Sequence, residues 1–420
     1  MKSITLNFFL KSILTFVFSC FLIVSGYPQK NCNNHTTGLI PIGDLSGKQY
    51  RGFTGGKYTN GNSRGSIQLG RAIIQAQKIK ALDTSGIENA KTGKIVFAAV
   101  GASNPATEFN SFKTFCDTFR VINPKLKLFN TCIGGTGIQK MNESTDNYWI
   151  QASKKLQDSG LSVKQVQVVW LEQEHTQNAD TSFPGAPLGL LGDYQKLLSV
   201  ILQKFPNVKI VYLNQRAYAG YLDVTPGVIG KGLHFPRDYY NGWTIKWLIE
   251  KQLNNEIGFR FSGTPEIPFI DWASSFWADG KNLRGDGLFY DCATDFGGDG
   301  LHLSALGEKK AGNNLFNYYK TDTISKYWFY QPQKINLSSR AFLMQGNVTV
   351  YPNPAKNFIN INSPVESQVK VFNAMGQVLF FESRYLHLHQ VSILNWTSGV
   401  YFIQVLSGEG QFYFTKFRIN

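Results

Sequence analysis

Five short runs, KIVFAAV (94–100), KLKLFNTCI (125–133), VQVVWLEQ (166–173), NVKIVYLNQ (207–215) and IPFIDWA (267–273), have few charges in their interiors and are separated by segments of helical period. A sheet with one wet face would alternate strictly along each strand. Runs that are apolar throughout need cover on both faces, which a parallel sheet between helical layers provides. The intervening segments supply that cover. Phe109, Phe112, Cys116 and Phe119 recur at intervals of three and four on one helix face, and YWIQASKKLQ, YQKLLSVILQKF, WTIKWLIEKQL and ALGEKKAGNNLFNYY are amphipathic in the same sense. Residues 66–330 therefore read as one α/β domain. A Gly-, Asn- and Thr-rich segment at 27–65 precedes it as irregular wrapping, followed by a helix near SIQLGRAIIQAQKIKAL.

The two ends of the chain have different textures. Lys2 and Lys11 precede the apolar run ILTFVFSCFLIVSG, so residues 1–26 read as a secretory signal peptide cleaved after Gly26. Cys20 is a poor lipidation site, because bulky Phe18 stands before it and apolar residues continue beyond it. Cleavage removes two lysines and lowers the net charge from +14 to +12. No later run is long and apolar enough to span a bilayer. The Lys and Arg residues are scattered singly, which argues against a nucleic-acid partner and suits a solubility charge. Cys32, Cys116, Cys132 and Cys292 remain, and an exported chain can pair them as two disulfides in any of three ways. After a linker at 331–346, residues 347–420 switch to period-two apolarity with Gly and Asn turns (VTVYPNPAKNFINI, VKVFNAMGQVLF, GVYFIQVL, QFYFTKFRI), the pattern of a small all-β, Ig-like sandwich.

In parallel α/β sheets the working residues lie at the carboxyl ends of the strands. The first run ends in VGASNPATEF, which makes Ser103 either the cap of the next helix or a nucleophile at a strand tip. Further on, DFGGDGLHLSALGEKKAG places Asp299 three residues before His302, ahead of a helix start. That spacing lets an acid orient an imidazole that takes a serine proton. TCIGGTG puts Gly134, Gly135 and Gly137 after the second run, where backbone N–H groups can approach an oxyanion without an intervening Cβ. WLEQEHT puts Glu172, Gln173, Glu174 and His175 after the third, and Arg216 follows the fourth. Trp272, Phe276, Trp277, Phe289 and Tyr290 precede the DxxH loop and read either as a sugar-stacking surface or as packed core. With six His and no HExxH or CxxC spacing, neither a metal nor an organic cofactor is expected.

These blocks resemble the SGNH, or GDSL-like, hydrolases, which are esterases of flavodoxin-like α/β fold. Gly101-Ala102-Ser103-Asn104 matches the first block, Gly134 or Gly135 the glycine of the second, and Asp299 with His302 the last. The third block, normally GxND, departs: WLEQEHT has no asparagine and is similar to the WxQGE segment of carbohydrate acetylesterases, with Gln173 or Glu174 as its counterpart. The resemblance covers roughly residues 37–330. It implies Ser103 as nucleophile, His302 as general base, Asp299 as its orienting acid, and an oxyanion site drawn from Ser103, Gly135, Asn104 and Gln173. A carbohydrate ester is the expected substrate, and Arg216, after the fourth run, is a candidate either to face it or to serve as a structural ion-pair partner. The rival expectation is a surface glycan-binding or adhesion protein on the same scaffold without turnover, favoured by the missing asparagine. Residues 347–420 resemble the type A sorting domain of the type IX secretion system of Bacteroidetes, with VYPNP, VFNAMGQVL, GVYFIQV and a basic last strand. This implies the secretion machinery as a partner and delivery to the medium or the cell surface.

Overall fold

A computed structural model describes residues 30–33, 36–119, 121–223, 231–330, 348–374, 377–407 and 412–420. The signal segment 1–26 and the linker 331–346 lie outside the described residues. The chain divides into two compact units between Pro332 and Gln333.

The first unit opens with a minimal hairpin, β1 (Gln49–Tyr50) and β2 (Phe53–Thr54), followed by α1 (Ser66–Gln77). A regular alternation comes next: β3 (Ile95–Gly101), α2 (Ser103–Asp117), β4 (Leu126–Asn130), α3 (Asn147–Asp158), β5 (Val166–Glu172), α4 (Gly185–Lys204), β6 (Ile210–Gln215), α5 (Arg237–Leu253) and β7 (Phe269–Ser275). The short α6 (Cys292–Asp295) and the long α7 (Ala305–Thr321) close the unit. All five apolar runs become strands of one parallel sheet, in the order β4-β3-β5-β6-β7. Every residue of β3, β5, β6 and β7 is buried, as double cover demands.

Helices α2 and α7 pack on each other, as do α4 and α5. Phe97 of β3 meets Phe109 and Phe112 of α2 and Tyr319 of α7, and Tyr212 of β6 meets the same Tyr319. The aromatic residues before the DxxH loop belong to this interior. Trp272, Phe276, Trp277 and Tyr290 are at most 1% exposed, and Phe289, on the surface, lies under Lys310. The structure thus gives the core reading of that cluster and removes the sugar-stacking one.

The wrapping segment is anchored by one disulfide, Cys32–Cys292, while Cys116 and Cys132 are buried thiols. Among the described residues the second disulfide allowed by the cysteine count is absent. Further anchors are the Lys30 N–H on the Gly298 carbonyl (2.8 Å) and the Thr37 and Gly38 N–H groups on the Asp279 carboxylate (2.6 and 2.9 Å).

The second unit is all-β: β8 (Thr349–Tyr351), β9 (Phe358–Phe372), β10 (Val378–Ser392), β11 (Gly399–Ser407) and β12 (Phe412–Ile419). The sandwich expectation implies two sheets, but hydrogen bonding joins all five strands into one antiparallel sheet. The first half of β9 pairs with β8 and the end of β10, and its second half with β11 and the start of β10. Both halves feed one core, with Ile359, Ile361 and Val391 from the first and Val369, Ile403 and Phe417 from the second. Two of the three register shifts in the β9–β10 ladder, between Glu382 and Leu388, fall between these halves, where an irregular ladder allows a long hairpin to bend.

Candidate active site

Ser103 is the first residue of α2, and the preceding cap position belongs to Ala102. No side chain caps this helix. The Ser103 hydroxyl is instead engaged by His302, with Oγ 2.8 Å from Nε2. The turn is tight because β3 passes directly into α2. A Cβ on Gly101 would lie 2.3 Å from Pro105 Cγ and 2.7 Å from the Glu172 carbonyl oxygen, so only glycine lets the strand end sit between helix and neighbouring strand. Pro105, in the first helical turn, lacks an N–H that no intrahelical acceptor would have met.

Asp299 and His302 sit in the loop between α6 and α7. His302 Nδ1 lies 2.5 Å from Asp299 Oδ2, and Asp299 Oδ1 accepts the backbone N–H groups of Leu301 (3.0 Å) and His302 (2.9 Å). Partial burial works against the Asp299 charge, but these bonds, led by that of the His302 ring, hold its carboxyl below the usual range. Asn104 fastens the loop to α2, its Nδ2 donating to the Leu301 carbonyl at 3.0 Å. Ser304 caps α7, accepting the Gly307 N–H. Serine, histidine and aspartate thus form one continuous hydrogen-bonded chain from the start of α2 to the α6–α7 loop.

The chain opens on a cavity of about 480 Å³ whose lining includes Gly135, Gln173 and Arg216. Gly134 adjoins the serine, as a Cβ placed on it would lie 3.9 Å from that of Ser103. Gly135 has φ +72°, a left-handed conformation natural to glycine, and a Cβ there would meet open space. Gln173 is in the cleft wall, but both amide hydrogens are spent: Nε2 donates to the Thr136 carbonyl and to Met141 Sδ, each at 2.8 Å. It therefore ties the loop after β5 to the glycine loop after β4. Glu174, the other candidate counterpart of the missing asparagine, is in a buried ion pair with Arg237 at 2.7 Å. Arg216 lines the cleft and is 5% exposed.

Two residues beside this site, Glu108 and Arg237, escaped the sequence reading. Glu108 is wholly buried on α2 and neither of its oxygens receives a donor. Burial and the neighbouring Glu172 push its carboxyl well above the usual range. Burial pushes Glu172 up to about 7, against the opposing influence of Asn214, whose Nδ2 donates to Oε2 at 2.7 Å, and of Arg216. The signal for Glu108 was its place in the helical stripe, three residues after Pro105 and four before Phe112, where a charged side chain is costly to bury. Arg237 carried no such signal, since its partner Glu174 is 63 residues away. Among the described residues no group of three or more His, Cys, Asp or Glu is placed to hold a metal ion. None of their helices is long and apolar enough to cross a membrane.

Comparison with known proteins identifies the tail. Residues 349–420 match the secretion system C-terminal sorting domain, so the chain carries a type IX sorting tail of the Bacteroidetes kind and is exported, to be released or attached at the cell surface. No curated protein matches the chain. Among solved structures, one similar to it is PorZ, a surface component of the type IX secretion system of Porphyromonas gingivalis (22% identity over 20% of this chain and 12% of PorZ, TM-score 0.16). Another is the acetyl xylan esterase AlAXEase (15% identity over 53% of this chain and 98% of the esterase, TM-score 0.28).

Proposed function

We propose that the protein is an exported serine esterase of SGNH type. The observation that carries this reading is the unbroken chain from Ser103 Oγ through His302 to Asp299, opening on a cleft at the carboxyl ends of a parallel sheet. The strand order is also the flavodoxin-like 2-1-3-4-5 when the five strands are numbered from β3. His302 Nε2 takes the Ser103 proton as Oγ attacks the ester carbonyl, and Asp299 stabilises the imidazolium that forms. The negative oxygen is received by the N–H of Ser103, one of those an α-helix leaves without intrahelical acceptors, and by that of Gly135. His302 returns the proton to the departing alcohol, and water then cleaves the acyl-serine by the same steps in reverse. With Gln173 spent on Thr136 and Met141, its part is to hold the glycine loop against the serine. A carbohydrate ester is the proposed substrate class, with Lys140 and Gln177 of the cleft lining as polar partners for its hydroxyls.

A fluorophosphonate, which phosphonylates activated serines, should label the mature protein at Ser103 alone, and Ser103→Ala should abolish both labelling and hydrolysis of an aryl acetate. An unlabelled, inactive wild-type protein that still binds glycans would replace this reading with the non-catalytic one.

A further inference from the structure

Arg216 follows β6 and lines the same cleft as Ser103 and His302. A guanidinium carries five N–H donors in a rigid fork. Arg216 uses one of them within the described residues, Nη1 donating to the Leu233 carbonyl at a long 3.3 Å. The acidic side chains lining the cleft are engaged elsewhere: Glu172 with Asn214 (2.7 Å), Glu174 with Arg237 (2.7 Å) and Asp299 with His302 (2.5 Å). None forms an ion pair with Arg216. Glu172 and the buried Asp238 offset its charge through space, which makes the cation tolerable at 5% exposure but leaves its hydrogen-bonding capacity unfilled. A second cation, Lys140, stands exposed at the rim of the cleft, its Nζ 3.3 Å from the Gly135 carbonyl.

We infer that Arg216 is the receptor for a carboxylate on the substrate, so that the preferred esters are those of acidic glycans, in which the esterified sugar carries a free carboxylate. This rests on the esterase reading of the cleft. A carboxylate matches the planar fork with two parallel, charge-assisted hydrogen bonds, whereas the hydroxyls of a neutral sugar offer it only single, uncharged acceptors.

The test uses the mature full-length protein and a matched pair of substrates, an acetylated methyl glucuronoside and the corresponding acetylated methyl glucoside. The wild type should turn over the acidic ester with a kcat/KM about 10- to 100-fold higher, the range of one hydrogen-bonded charge pair. Arg216→Gln should bring the ratio close to one, Arg216→Lys should keep part of it, and Ser103 should still react with the fluorophosphonate in both. Equal kcat/KM for the two esters in the wild type overturns the inference and leaves the esterase reading standing. A protein that neither reacts with fluorophosphonate nor turns over either ester, yet is thermally stabilised by glucuronate and not by glucose, and only with Arg216 intact, retains the carboxylate site and overturns the esterase. Should Arg216→Gln fail to fold, the wild-type ratio decides.

Discussion

Strands β5 and β9 use the same kinds of residue in opposite ways. Along β5 all seven residues are buried, whereas β9 alternates buried and exposed positions over much of its length. A strand covered on both faces has only its ends to offer a ligand, and the cleft lies at those ends. A strand with one free face offers a surface, and the sorting tail presents one, with Phe402 of β11 and Phe381 of β10 among its exposed side chains. The contrast teaches where each architecture leaves atoms uncovered: at the strand ends in the first unit and along a sheet face in the second.

The largest test of this division is removal of residues 333–420. Because each unit has its own core, the shortened protein should fold and keep its hydrolytic rate, while its appearance in the medium or at the cell surface is lost completely. Surface delivery without the tail would break the comparison. Next in size, Asp299→Asn should lower kcat by about 10² to 10⁴, the range of acid-base assistance, with no change in circular dichroism. A third effect is on stability. Trp170→Ala in β5 empties a site between Phe109 and Phe276 and should cost about 3–5 kcal/mol in chemical denaturation.

Smaller is the pH dependence introduced by Glu172. Its carboxyl is raised from 4.5 to about 7 in the folded protein, so between those values the folded state holds a proton that the unfolded chain has released. Stability should therefore fall as pH rises through this window, and Glu172→Gln should flatten the fall in a series of thermal melts. An unchanged slope would show that Glu172 is ionised throughout. The smallest effect belongs to the free face of the tail: Phe402→Ser, at a side chain 45% exposed, should change stability by no more than about 0.5 kcal/mol. A loss comparable to that of Trp170→Ala would mean that the face is covered.

Much of this was legible in the sequence because its signals are local. The five apolar runs, the serine at the first strand end and the three-residue step from Asp299 to His302 need only neighbouring residues to be recognised. Signals that depend on folding were hidden. Helix α4 begins nine residues before the apolar run YQKLLSVILQKF, because the Pro- and Gly-rich GAPLGLLGD carries little helix propensity, although Pro187 is harmless in a first turn. The first turns of α5 are buried yet rich in polar residues, since Arg237, Asp238 and Asn241 bond to the loops beside the cleft, so no apolar stripe announced them. Gln173 was visible as a strand-end amide, but only its partners show that its donors are spent. That one sheet supplies a core from both halves of β9 leaves no mark in a period-two pattern.

The Cys32–Cys292 bridge bears on the order of events in the life of the chain. Its two sulfurs are 260 residues apart, so the first part of the unit to be synthesised is among the last to be fixed. The strand of chain it secures lies against the histidine loop: the backbone of Lys30 holds Gly298, and its ammonium reaches the carbonyls of Ala293 and Phe296. Thiols stay reduced where the chain is made and are oxidised only after it crosses the inner membrane. The loop that presents His302 to Ser103 therefore receives its covalent brace in transit, which separates the place of synthesis from the place where the site is finished.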